Sequence, residues 1–281
     1  MKKFLKIFLT ILLIFIIFFL YGRFIETSGL EVKEIKIESS NLPTSFHGLK
    51  IVHFSDLHYG RIISKKQITN IVNKINELKP DIIVFTGDLF DRDSKITEEN
   101  LNFLKTSLAN LDASIGKYAI YGNHDYEVGL ENLVQVYNDS NFIILNNTND
   151  LIYNESDFIF IGGVDDILKG TPDINKVLDN DNISKTYKII LVHEPDLTTD
   201  ILASDNSINL ILAGHSHNGQ VKLPFYGAIY TPEGSKKYYD EHYLIDETHL
   251  YISSGIGVSG INIRLFNKPS INFYRFYSVQ N

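Results

Sequence analysis

The chain has 281 residues, 44% of them hydrophobic and 12% aromatic, which is enough apolar sequence for one sizeable α/β domain. It contains no cysteine, so disulfides, thiol nucleophiles and Cys-ligated metals are excluded, and any metal site must use His, carboxylate and amide ligands. The formal net charge is −8, and because Lys2, Lys3 and Lys6 stand at the start the remainder is more acidic still; without a Lys/Arg-rich track, no nucleic-acid partner is expected.

Residues 4–20 are almost unbroken Leu, Ile and Phe, interrupted only by Lys6 and Thr10. A soluble surface helix carries a polar face, and this stretch has none. At about 17 residues it reaches the short end of the membrane-spanning range and exceeds the apolar core of a signal peptide, about 7–15 residues. The small residues of a cleavage site do not follow; the chain reads Leu20-Tyr21-Gly22-Arg23-Phe24. An uncleaved single-pass anchor over residues 1–22 is therefore expected, then a connecting segment with a first strand over 23–48 and a catalytic domain over 49–281. The early lysines favour a cytoplasmic N-terminus, which would put the domain outside the cytoplasm at the cell membrane.

From about Leu30 short apolar runs alternate with amphipathic patterns. Runs at 51–54, 82–85, 118–121, 158–161, 189–192 and 210–213 have the length of buried strands. Between the early runs, Ile68, Ile71, Val72, Ile75 and Leu78 fall at helical spacing after Ser64, a candidate N-cap. Leu101, Leu104, Leu108 and Leu111 repeat the pattern after Thr97, and Leu130, Leu133, Val134 and Tyr137 give a third helix. This alternation predicts βαβ units and a sheet covered by helices. After Gly214 turn-rich β sequence takes over, and runs at 221–223, 228–230, 249–253 and 271–277 are expected to form a second, more antiparallel sheet. One domain is expected.

Five of the apolar runs lead directly into metal-binding side chains. They are followed by Ser55-Asp56-Leu57-His58, Thr86-Gly87-Asp88, Gly122-Asn123-His124-Asp125, His193 and Gly214-His215-Ser216-His217. Any one fragment is weak evidence, since Gly-Asp is a common turn and a lone strand-end His is commonly structural. Five in series differ, because the carboxyl ends of strands in an open α/β sheet line a shared crevice. Phosphate esters resist attack by anions. Two divalent cations about 3.5–4 Å apart neutralise that charge, lower the pKa of bound water, and hold entering and leaving oxygens in line. Such ions need a shared anion, for which Asp88 is the natural bridge. Mixed imidazole, carboxylate and amide ligands suit Mn, Fe, Co or Zn better than Mg.

In this order and over residues 50–220, the motifs resemble the full series of the calcineurin-like metallophosphoesterases. The resemblance implies an α/β fold in which a two-sheet β-sandwich is flanked by helices, here after an N-terminal transmembrane helix. It implies one metal on Asp56, His58 and His217, a second on Asn123, His193 and His215, and Asp88 shared by both. His124 would sit beside the phosphate, protonating the leaving oxygen or stabilising transition-state charge. The run Gly87-Asp88-Leu89-Phe90-Asp91-Arg92 implies that Asp91 orients His124 and that Arg92 contacts the phosphate. Asp91 also stands where purple acid phosphatases have Tyr, so no tyrosinate-bound ferric site is expected.

Downstream, Gly219-Gln220 to Pro224, Leu250 to Gly257 and Ile263-Arg264 look similar to membrane-associated bacterial members, including relatives that act as UDP-2,3-diacylglucosamine pyrophosphatases. Asn218 stands where that branch has Gly, a substitution that left-handed backbone tolerates, and Ser270 replaces a usual Glu. The expected activity is dinuclear-metal hydrolysis of a phosphoester or pyrophosphate bond at the membrane surface, on a lipid- or nucleotide-linked substrate, by a monomer. The alternatives are a nuclease or cyclic-nucleotide phosphodiesterase on the same scaffold, or a non-catalytic metal-binding scaffold. The acidic balance disfavours a polynucleotide substrate, and the complete ligand set disfavours the non-catalytic scaffold.

Overall fold

The computed structural model describes residues 2–180, 183 and 186–279. The apolar N-terminus forms helix α1, Lys2–Leu20, none of whose described side chains is buried. A π-type turn, Tyr21–Ile25, and a short 3-10 turn, Glu26–Ser28, continue it. The continuous helical segment Lys2–Ser28 is long and apolar enough to cross a bilayer.

Next in chain order come β1 (Glu31–Ser39), β2 (Lys50–Phe54), α2 (Lys65–Glu77), β3 (Ile82–Thr86), α3 (Glu98–Ala109) and β4 (Gly116–Ile120). After these lie α4 (Asn123–Val128), α5 (Leu130–Asp139), β5 (Ile143–Ile144), β6 (Thr148–Asn154), β7 (Asp157–Gly163) and α6 (Ile174–Leu178). The chain then runs through β8 (Lys188–Val192), α7 (Thr198–Ser204), β9 (Leu210–Ala213), β10 (Lys222–Leu223), β11 (Gly227–Ala228), β12 (His242–Ile245), β13 (Thr248–Ile252) and β14 (Ser270–Ser278). Local chemistry starts the helices where the sequence places them. Ser64 and Gln67 form a capping box at α2, and the Thr97 side chain accepts from Asn100 N at α3.

Two six-stranded sheets stack face to face, with orders β1-β14-β2-β3-β4-β5 and β12-β13-β9-β8-β7-β6. Their shared interior takes alternate residues of each strand, including Ile51, Ile82, Val84 and Ile120 from one sheet and Ile161, Ile189, Leu191 and Leu212 from the other. Helices α2, α3 and α5 cover the outer face of the first sheet; α6 and α7 cover that of the second. Each fully buried aliphatic side chain contributes roughly 1.5–3 kcal/mol, so these layers fix the strand ends firmly.

The expected C-terminal sheet is corrected in two respects. β14 lies in the first sheet between β1 and β2, and β13 pairs parallel with β9 in the second. Among the described residues, only the β10–β11 hairpin stands apart from the two sheets. Short apolar runs specify buried strands but not their neighbours; Phe273 and Phe276 of β14 point to opposite faces of one sheet and satisfy both cores. Segment 31–39 is a strand within the expected connecting segment and lies at the edge of the first sheet.

Candidate metal centre

The ends of β2, β3, β4, β8 and β9 meet at one rim, where the turns after them carry Asp56, His58, Asp88, Asn123, His124, His193, His215 and His217. Sharp backbone turns bring these side chains inward. Asp56, His58, Asp88, His215 and His217 have φ of 52°, 44°, 59°, 63° and 50°. Left-handed backbone costs a non-glycine residue roughly 1–3 kcal/mol and clusters at functional sites. Gly122 is needed for a different reason: a Cβ there would fall on the Asp88 carboxylate and lie 2.7 Å from His193 Cε1. Asn218 also adopts φ 50°, so the loop keeps a left-handed residue without glycine.

The acceptor atoms converge on two positions. Asp56, His58 and His217 offer ligand atoms all within 4.8 Å of one another, as do Asp88, His193 and His215. His58 Nε2 lies 3.6 Å from Asp88 Oδ2 and 3.9 Å from Asp56 Oδ1. His193 Nε2 lies 3.4 Å from Asp88 Oδ2, and His217 Nε2 lies 3.5 Å from Asp56 Oδ1. Asp88 therefore stands between the two groups.

Neighbouring carbonyls orient two rings. His193 Nδ1 donates to Thr86 O at 2.7 Å, which directs Nε2 at Asp88 as the atom available to a metal. His215 Nε2 donates to Glu233 O at 2.7 Å, leaving Nδ1 as the acceptor atom. Ligating imidazoles are oriented in this manner. His193 Nε2, His58 Nδ1 and Asn123 Oδ1 are buried with no hydrogen-bond partner, a costly condition without a cation or water to satisfy them. The donor set thus fits divalent metal, with imidazole, carboxylate and amide in one buried cage.

Electrostatics agree. Burial, reinforced by the Asp88 charge, pushes the Asp56 carboxyl up to about 7. Burial also opposes charge on Asp88, but His193 outweighs it and holds Asp88 well below the usual range. Asp88 in turn, with Glu194 and Asp56, overcomes burial and holds the His193 ring well above the usual imidazole range, so without a cation His193 carries the positive charge that a metal would replace. Burial lowers His58 to about 3 and His215 to about 4, so these rings stay neutral and able to ligate.

His124 and Arg92 line a cavity of about 540 Å³ that opens over Asp88 and Asn123. His124 Nδ1 accepts the Arg92 backbone N–H at 3.2 Å; the neutral ring then carries its hydrogen on Nε2. Asp91 stands close to His124 as expected of a residue that orients it: ligand atoms of Asp91, His124 and His58 all lie within 4.8 Å of one another, and Nδ1 of His124 is the atom held by the Arg92 backbone. Asp91 also accepts from Arg61 Nη1 at 3.2 Å and lies 3.8 Å from His58 Nδ1.

Three supporting groups were not read from the sequence. The Asp125 carboxylate accepts from Asp88 N, Leu89 N and Gly122 N, each at 2.9 Å, and so ties the β3 and β4 turns together. An acid three residues into a helix that follows Gly122 was the available signal. Glu194 and Asp166 flank His193 within ligand distance. Burial and the adjacent Asp166 hold the Glu194 carboxyl well above the usual range against the pull of His193. Arg264 is fully buried and reaches His217; the sequence marked Ile263-Arg264 only as part of a resemblance, with no role for the side chain. His53 belongs to none of these groups and is buried in β2 with its ring against Thr86 Oγ1 at 2.9 Å.

Comparison with known proteins follows the same lines. Residues 49–219 match the family described as calcineurin-like phosphoesterase. The chain is 35% identical over 261 residues to the uncharacterized metallophosphoesterase YkuE of Bacillus subtilis, covering 92% of this chain and 90% of that one. It is 31% identical over 255 residues to an uncharacterized metallophosphoesterase of Aquifex aeolicus, covering 88% and 92%. A Danio rerio relative, named as a transmembrane protein with a metallophosphoesterase domain, is 28% identical over 264 residues, 89% of this chain and 58% of the relative. Among solved structures, the NAD nucleotidase NadN of Haemophilus influenzae aligns with a TM-score of 0.50 at 16% identity over 74% of this chain and 45% of that one, a likeness of fold.

Proposed function

This chain belongs to the calcineurin-like phosphoesterase family of metal-dependent hydrolases, and we propose that it hydrolyses a phosphoester or pyrophosphate bond with two divalent cations while anchored to a membrane. The observation that carries the reading is the pair of imidazole nitrogens His193 Nε2 and His215 Nδ1, their rings oriented by backbone carbonyls and grouped with Asp88 beside the Asp56, His58 and His217 set.

On this reading Asp56, His58 and His217 hold one cation, Asn123, His193 and His215 hold the other, and Asp88 serves both. When bound, the cations neutralise the ester, activate water and orient the displacement. Water adds across the P–O bond, its oxygen to phosphorus and a proton to the departing oxygen. Arg92, exposed at the cavity rim, meets the non-reacting phosphoryl oxygens. His124 offers Nε2–H to the charge that develops on the ester. With Nδ1 accepting from Arg92 N, the neutral ring acts there as a hydrogen-bond donor rather than as a source of a whole proton. Asp91, bonded to Arg61 and close to both His58 and His124, is a positioning residue for those two rings. Segment Lys2–Ser28 is the anchor, with the lysine-bearing end in the cytoplasm and the domain outside.

The test is turnover of p-nitrophenyl phosphate and bis-p-nitrophenyl phosphate by the full chain in detergent, with Mn supplied or withheld. Mn-dependent release of p-nitrophenol is expected, and the preferred ester separates monoesterase from diesterase. No release from either by a folded, Mn-loaded chain would contradict the reading for simple esters.

A further inference from the structure

The membrane helix is not tethered loosely to the domain. Gly22 O accepts from Arg264 N at 3.2 Å, and a Cβ at Gly22 would lie 2.6 Å from Arg264 O, so the helix end is pressed onto segment 263–264. Phe18 of α1 meets Phe266 with ring centroids 6.2 Å apart. Leu265, next to Phe266, pairs with Val221 and accepts from Lys222 N at 2.9 Å. The β10–β11 hairpin therefore stands beside the point where the helix leaves the domain.

That hairpin and its neighbours expose an apolar surface. Phe225 and Tyr226 at the hairpin tip, Ile229 and Tyr230 behind it, and Ile261 and Phe266 on the adjoining loop all face solvent. Phe225 and Phe266 do so with φ of 65° and 53°, a conformation in which a bulky residue is an outlier. Backbone strain is thus spent on displaying two aromatic rings. A contiguous apolar patch of this kind on a soluble face marks an interaction site, and aromatic residues concentrate at the bilayer interface. Ile229, Tyr230 and Ile261 also form one wall of the cavity above Asp88, so the patch reaches the mouth of the site.

We propose that this face seats in the lipid interface, with the hairpin tip and Phe266 among the headgroups, so that the cavity opens onto the bilayer and takes a phosphoester whose acyl portion stays in the membrane. The proposal rests on the hydrolase reading and on Lys2–Ser28 crossing a membrane. The bilayer is the occupant because the patch is continuous with that helix through the Phe18–Phe266 contact. The phosphate would reach the polar floor at Asp88 and Asn123, and the tail would leave between Ile229 and Ile261.

The absence of cysteine makes the test direct. Phe225→Cys in the full chain is labelled with a nitrobenzoxadiazole fluorophore and reconstituted into phosphatidylcholine–phosphatidylglycerol vesicles containing doxyl lipid. Tyr153→Cys, exposed on β6 at the opposite edge of the second sheet, serves as the control. Strong doxyl quenching at 225 and none at 153 is expected. An unquenched probe overturns the proposal, and self-quenching that grows with protein density assigns the face to a second copy and overturns it too. In a second arm, the Phe225→Ser, Tyr226→Ser double variant and the wild type hydrolyse p-nitrophenyl hexadecyl phosphate in the same vesicles and its soluble methyl counterpart. The variant is expected to lose at least tenfold on the vesicle-borne ester and to keep its soluble turnover. Equal loss on both, or none, contradicts the proposal. Wild-type failure on the soluble ester, with quenching intact, would instead count against the hydrolase reading.

Discussion

Arg264 stands directly behind His217, its Nη2 3.2 Å from the ring Nδ1, and no part of Arg264 reaches solvent. The same guanidinium donates to Gly255 O and Gly257 O, which shape the loop beneath Asp56. Burial pushes its pKa down to about 9 while Asp56 and Glu26 pull it upward, so the group stays charged at neutral pH. Glu26 lies at the end of the membrane segment and also accepts from Asn267 N at 2.8 Å. A buried charge therefore links the anchor, the 255–267 loops and one ring of the proposed cage.

Replacing that charge should be costly. Arg264→Leu leaves buried carbonyls unpaired and His217 unsupported, so a stability loss of about 3 kcal/mol is expected, with turnover reduced at least tenfold. Urea unfolding and p-nitrophenyl ester kinetics of the full chain in detergent measure both, and wild-type values would contradict the role assigned to Arg264.

Asp125 holds three amides with one carboxylate. Asp125→Ala strands all three, and a destabilisation of roughly 2–4 kcal/mol is expected from the unpaired buried donors. Metal affinity should fall as well, because Asp88 and Gly122 lose their shared clamp. Thermal unfolding with and without Mn checks both effects; equal shifts in the two conditions would show that the clamp does not reach the metal.

Gly122 has no space for a methyl group. Gly122→Ala would force a Cβ onto Asp88 and within 2.7 Å of His193 Cε1. The expected outcome is more than tenfold loss of kcat with the fold retained by circular dichroism. Retained kcat would mean that the turn relaxes at no cost to the site.

His53 and His193 separate a structural histidine from a ligand. His193→Ala should lower the metal content of the protein as measured by plasma mass spectrometry. His53→Leu should leave it unchanged, since His53 points along β2 to Thr86 Oγ1. Equal metal loss in both would contradict the assignment.

Chelation should act on stability as well as rate. A cage with the buried carboxylates Asp56 and Asp88 side by side is relieved by a cation, and binding to the folded state alone adds about 2.7 kcal/mol at a hundredfold excess over Kd. EDTA is therefore expected to lower the calorimetric Tm, and Mn to restore it. An unchanged Tm would mean that the cage holds no metal under those conditions.

Much of this centre was legible in the sequence because strand ends are local. A short apolar run followed by Asp, His or Asn fixes both the element and the side of the sheet on which the turn lies. The strand runs before Asp56, Asp88, His193 and His215 each match a buried strand in the structure. What stayed hidden depends on contacts far apart in the chain. β14 inserts between β1 and β2 because its two faces satisfy two cores, and a run of apolar residues does not name its neighbours. Arg264 acts on a histidine 47 positions away. The bond that orients His124 comes from a backbone amide 32 positions away, which no residue type announces.

The most direct test places metal content and turnover on the same preparations of wild type, His124→Ala and Asp88→Asn. The wild type should carry two metal ions per chain and hydrolyse the ester. His124→Ala should keep its metal and lose at least a hundredfold in kcat, whereas Asp88→Asn should lose both metal and turnover. A His124→Ala protein as active as wild type, or an Asp88→Asn protein that retains full metal and full turnover, would contradict a hydrolytic centre built on these residues.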